Sequence, residues 1–177
     1  MELSNLAFLE SYTLKDKEGI MGAILVTDTD TKPVEFRVTA PITPTNFQRT
    51  LYGNVLMEHI LVELISVPLL NAISLDLDLV IVRNSLFLGA NDRQGVRVVR
   101  LFDKNDNISR ESSAREELLS NNRDNPKIYA EISRHYENEL PEIKESLQYI
   151  AENRNLLEPF ERLKIACEQV HLQKMGD

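Results

Sequence analysis

Apolar positions along the chain change their period near residue 102. Before it, short apolar runs and alternating apolar and polar residues dominate; after it, apolar residues recur every three or four positions, the spacing that lines one helix face. Ile20 to Asp28 and Val34 to Thr39 read as the two strands of a hairpin around a polar turn at Thr29 to Lys32. In the second strand Val34, Phe36 and Val38 alternate with Glu35, Arg37 and Thr39, which predicts one buried and one solvated face. Residues 6–14 fit a third strand or a short helix, and Phe8, Tyr12 and Thr13 favour the strand.

Pro41 and Pro44 close this segment, and Thr45 with Gln48 has the spacing of a capping box that opens a helix over Thr45 to Ser66. Two adjacent stripes, Phe47, Leu51, Val55 and Tyr52, Leu56, Ile60, Leu64, give it a wide apolar face and make it the expected central core helix. Gly53 within it predicts either a close packing contact or a local break. Pro68 is expected to interrupt it, and Leu69 to Ile73 fits a short second helix. Leu79 to Val82, Leu86 to Leu88 and Val96 to Leu101 read as three more strands of the same sheet. Asp103 to Asn125 is poor in apolar residues and reads as a loop, with a short helix near Ala114 to Leu119. Three helices then follow, marked by Ile128, Ile132, Tyr136, by Ile143, Leu147, Ile150, and by Leu156, Phe160, Leu163, Cys167, Val170.

The expected fold class is α+β: a mixed or antiparallel sheet of about five to six strands packed on a central helix, followed by a C-terminal three-helix region. The expected organisation is an α+β core domain at 1–102, a loop or linker at 103–125 and a helical C-terminal region at 126–177. Over roughly residues 1–120 the element order resembles that of Roadblock and related profilin-like modules. That resemblance implies a dimeric scaffold.

Composition narrows the class. With 42% hydrophobic and 27% charged residues over 177 positions, the chain has the make-up of a folded globular protein. Its net charge of -8 argues against tight non-specific binding to nucleic acid, which draws on an excess of Lys and Arg. The single cysteine, Cys167, leaves no intramolecular disulfide, and the start lacks the basic and apolar regions of a secretory signal, so the cytoplasm is expected. The richest apolar run, Val55 to Leu70, is interrupted by Glu58, His59, Glu63 and Pro68, and no membrane span is expected.

Candidate chemistry is sparse. His59 and Glu63 could share one helix face but lack a second matched pair of metal ligands. Glu168-x-x-His171 is half of a carboxylate-bridged metal signature, and Glu131, His135 and Glu139 read as an exposed helix face. Asp103, Asn105 and Asn107 imitate the opening of a calcium loop, but Ile108 and Ala114 stand where it needs Gly and Glu. Cys167 falls on an apolar stripe, where a thiol is an inert hydrophobe. No Gly-rich phosphate loop and no nucleophile elbow are present. Catalytic, cofactor-binding and metal residues are therefore not assigned.

Two candidate surfaces remain. Leu156, Phe160, Leu163 and Val170 form a candidate protein-interaction face. Arg83, Arg93, Arg97 and Arg100, opposed in that stretch by Asp92, form a candidate anion-binding site. The odd separation of Arg97 and Arg100 sends them to opposite faces of a regular strand. The first surface leads to the expected function: a non-catalytic protein-binding or assembly subunit, an adaptor that is cytoplasmic and oligomeric, needing no cofactor and no membrane. The arginines support the alternative, an accessory nucleic-acid or nucleotide-binding protein.

Overall fold

A computed structural model describes residues 1–14, 19–106 and 113–176. Its centre is a seven-stranded mixed sheet built from β1 (Leu6–Thr13), β2 (Ile20–Thr27), β3 (Pro33–Val38), β4 (Leu79–Val82), β5 (Val98–Phe102), β6 (Ser113–Leu118) and β7 (Ile128–Ser133). The strand order is β3-β2-β1-β4-β5-β7-β6. β1, β4 and β5 run parallel, while the β1–β2, β2–β3, β5–β7 and β6–β7 pairs are antiparallel.

Parallel neighbours need a crossover, and α1 (Asn46–Ala72) supplies it between β3 and β4. Its capping box forms as the sequence predicts: the Thr45 hydroxyl accepts from the Gln48 N–H at 3.1 Å, and the Gln48 side chain accepts from the Thr45 N–H at 2.9 Å. α1 packs on one face of the sheet, where Ile60, Leu61, Ile65 and Leu69 meet Ala7, Leu9, Ile24, Val80 and Val82. The approach is tight at Gly22, where an added Cβ would stand 2.3 Å from Ile65 Cγ2. On the other face α2 (Leu140–Ala151) and α3 (Glu158–Met175) enclose a core with Leu6, Phe8, Ile81, Leu101, Ala130 and Ile132. The Phe8 and Phe160 rings meet edge to face at 5.5 Å.

The α+β class holds, with more strands than expected. Several elements differ. Residues 128–133 form a strand rather than a helix, because Ile128, Ala130 and Ile132 alternate with Tyr129 and Glu131 and all three face the core. The four-residue spacing of Ile128 and Ile132 satisfies a strand as well as a helix. Ala114 to Leu118 lies in β6, not in a helix, and among the described residues two α-helices follow β7, after a 3-10 segment at Arg134–Glu139. Ser85–Asp92 is likewise a 3-10 segment rather than a strand, started by Asn84, whose side chain accepts from the Leu86 N–H.

α1 also departs from its predicted stripes. Gly53 takes φ +50° with nothing within 4 Å of an added Cβ, so it marks a break and not a packing contact. A π-turn over Ile60–Ser66 then rotates the register, and burial starts only at Ile60. Phe47, Leu51 and Val55 remain 70%, 65% and 59% exposed. By length and composition α1 is apolar enough to cross a bilayer, and its second half is the helix that packs on the sheet.

Candidate nucleic-acid interface

The chemistry of this chain gathers where the parallel strands end. In an open sheet, ligands settle beyond the carboxyl ends of parallel strands at the point where the chain connections diverge. Here that point lies between β1, which continues outward to β2, and β4, which continues the other way to β5. The last paired residues of β1 and β4 are Leu9 and Val82, so the next two, Glu10 and Arg83, are neighbours across the divergence.

Arg83 donates from Nη2 to both Asp106 carboxylate oxygens at 2.8 Å. Asp106 Oδ2 also accepts the Asp103 N–H at 3.0 Å, and Asp103 Oδ1 accepts the Asn105 N–H at 2.8 Å, so the turn after β5 is built around these two carboxylates. Burial opposes the Arg83 charge, but the Asp106 bond and the nearby Asp106, Asp103 and Glu10 carboxylates outweigh it and raise its pKa. The Glu10 carboxylate accepts the Ser11 N–H at 2.9 Å. Burial pushes its pKa up; that hydrogen bond and Arg83 pull the other way. Tyr12, further along β1, donates to the Phe160 carbonyl at 3.2 Å, and burial raises its pKa.

Of the four arginines singled out from the sequence, Arg83 and Arg100 come together. Arg100 Nε donates to the Arg83 carbonyl at 2.7 Å, and its Nη1 reaches Glu131 at 2.9 Å in a buried pair with both side chains at 5% exposure or less. Arg93 instead pairs with Glu63 at 2.8 Å beside the stacked Tyr52 and His59 rings. Arg97 pairs with Glu139 at 2.7 Å and lies 4.0 Å over the Tyr136 ring. Each guanidinium has a carboxylate, so the four do not form one anion patch.

The predicted interaction face is not available either. Leu156, Phe160 and Leu163 are buried in this chain's own core, and Val170 is half-buried. Cys167 is buried on the same side, and burial raises its thiol pKa. Glu131 lies on β7 and not on a helix with His135 and Glu139. Asn107 and Ile108 of the calcium-loop imitation fall outside the described residues, while Asp103 and Asn105 form the turn that holds Asp106. Among the described residues no three His, Cys, Asp or Glu side chains are placed to hold a metal ion. A guanidinium lies on Asp106 instead.

Sequence reasoning missed Glu10 and Asp106. A signal for Glu10 existed: it is the one charge in the run LAFLESYT, and it follows four buried residues.

No family model and no curated protein matches the chain. Solved structures match it in fold across nearly its whole length. Endonuclease V from Streptomyces avermitilis superposes with a TM-score of 0.64 at 9% identity, covering 99% of this chain and 84% of that one. Endonuclease V from Bacillus subtilis gives 0.60 at 10% identity, with 99% and 83% covered. Ciona intestinalis endonuclease V, in complex with a 24mer DNA containing an inosine followed by a ribo-adenosine, gives 0.54 at 11% identity, with 98% and 87% covered. This likeness overturns the expectation of a non-catalytic adaptor or assembly subunit: the fold is shared with endonuclease V structures, one of them in complex with DNA. It also replaces the resemblance to Roadblock-like modules, which rested on element order and did not foresee the parallel β1–β4–β5 centre.

Proposed function

We propose that this protein binds nucleic acid across the end of the sheet where β1 and β4 terminate, with Arg83 as a ligand of the backbone phosphate. The observation that carries this reading is the fold shared with endonuclease V structures, one of them bound to DNA, together with a paired arginine at the divergence point of the parallel strands. A guanidinium held by a carboxylate at moderate exposure is suited to exchange, because phosphate offers the same two-oxygen geometry as Asp106. The net charge of -8 limits the affinity to what a few local cations supply.

Gel retardation with single-stranded and double-stranded DNA and RNA at low salt tests the binding. A retarded complex that weakens in the Arg83→Ala variant is the expected result. No complex with any of the four ligands contradicts it. The same incubations report cleavage, the reaction that the neighbours' name describes. If a strand is cut, Glu10 is the carboxylate nearest Arg83 across β1 and β4, and Glu10→Gln should abolish the cut while leaving the retarded band.

A further inference from the structure

α1 covers β1, β2 and β4, but on the same side of the sheet β5, β7 and β6 present a second, shallower surface. Cross-strand register places Phe102, Tyr129 and Glu117 in one row and Arg100, Glu131 and Arg115 in the next. Residues two apart on a strand share a face, so both rows lie on one side. The opposite side of these strands is closed, because Leu101, Leu118, Ile128, Ala130 and Ile132 are buried against the α2 and α3 core.

On the open side the Phe102 and Tyr129 rings stack with centroids 5.6 Å apart and planes at 28°. Arg100 Cζ stands 4.5 Å and Arg115 Cζ 5.9 Å from the Phe102 ring centroid. Phe102 is buried beneath this arrangement, whereas Tyr129 is half-buried and Arg115 exposed. Phe102, Arg115, Glu116, Glu117 and Tyr129 line an open cavity of about 380 Å³. The carboxylates around it are compensated: Glu116 by Lys144 at 3.1 Å, Glu117 by Lys127 at 3.9 Å, and Glu131 by Arg100 and Arg115.

From this geometry we infer that the Tyr129 ring is a stacking platform for one unpaired base of a single-stranded nucleic acid, with Arg115 placed for an adjoining phosphate. The inference rests on the binding proposed above and names the form of the ligand. A flat ring fixed from below by a second ring, with a guanidinium beside it and carboxylates on its rim, fits a planar heterocycle with polar edges better than an aliphatic side chain. The base face meets the ring, and base amino groups meet Glu117. The platform is linked to the Arg83 site through the turn after β5. Phe102 directly precedes Asp103, whose N–H bonds to the carboxylate that holds Arg83. A base inside a duplex has no exposed face to offer, so the platform selects single strands.

Oligonucleotides carrying 2-aminopurine, whose fluorescence is quenched on stacking, test this with the full chain. Wild-type protein should quench the single-stranded probe. Tyr129→Ala should remove the quench and weaken single-strand binding by about five- to a hundredfold. Tyr129→Phe, which keeps the ring, should behave as wild type. Wild-type protein that binds the single strand without quenching overturns the platform whether or not any variant folds. So does a folded Tyr129→Ala variant with unchanged affinity. If in that case Arg83→Ala still weakens binding, the platform fails and the Arg83 reading stands; if wild-type protein binds no nucleic acid at all, both fail together.

Discussion

Arg83 and Asp106 form a two-oxygen ion pair, both contacts at 2.8 Å, at the point where β1 and β4 diverge. The pair is partly exposed, with side chains at 28% and 24%, so its net worth is that of an exchangeable contact, about 1 kcal/mol or less. Any phosphate bound by Arg83 must compete with Asp106. Asp106→Asn should therefore strengthen nucleic-acid binding by up to about fivefold, since the amide oxygen can still accept the Asp103 N–H while the competing charge is gone. Fluorescence anisotropy of a labelled oligonucleotide reads this, and weaker binding by the variant would contradict the competition.

The Arg100–Glu131 pair is different because it is buried. Removing Glu131 leaves a guanidinium without its counter-charge, and Glu131→Ala should cost about 3–5 kcal/mol. Urea unfolding measures the loss. A change below about 1 kcal/mol would mean that the pair is hydrated in solution.

Glu10 sets a pH dependence. Burial raises its pKa in the folded chain, so between the ordinary carboxylate range and that raised value the native state binds more protons than the unfolded state. The stability from this proton is fully present below the ordinary carboxylate range and is lost as pH rises through Glu10's raised folded value. Glu10→Gln should raise the melting temperature near neutral pH and flatten the curve in that window. A parallel shift of the whole profile would show that Glu10 does not cause the slope.

α3 belongs to the core. Phe160 is 4% exposed and meets Phe8 edge to face, so Phe160→Ala should cost about 3–5 kcal/mol. Cys167 should ignore a thiol reagent in the native state and react on unfolding, because it is 2% exposed and burial raises its pKa. Rapid labelling of the native protein would place α3 outside the core.

Local signals were legible in the sequence wherever one physical cause acted alone. The Thr45–Gln48 capping box, the β2–β3 turn and the burial of Phe160 and Leu163 on one face of the last helix all read correctly. Errors arose where two periods coincide. Ile128 and Ile132 are four apart, which lies on one face of both a helix and a strand, and the intervening Ala130 was the deciding residue. The stripes of α1 failed because the Gly53 break and the π-turn at Ile60–Ser66 shift the register, and neither follows from apolar spacing. The site was the least legible part. Glu10, Arg83 and Asp106 stand far apart in the chain, and only the parallel β1–β4 pairing and the turn after β5 bring them together. Proximity in sequence joins Arg83 to Arg93 and Arg97, which in the fold serve other carboxylates.

On the proposed reading, Arg83 contacts nucleic-acid phosphate at the end of the sheet. This contact is tested most directly by titrating a labelled single-stranded oligonucleotide with wild-type and Arg83→Ala protein over a series of salt concentrations. For wild type, the logarithm of the association constant should fall linearly with the logarithm of salt. In Arg83→Ala the line should lie lower and be shallower by about one unit of slope, the share of one phosphate contact. Superimposable lines, or no binding by wild-type protein at the lowest salt, would contradict the account.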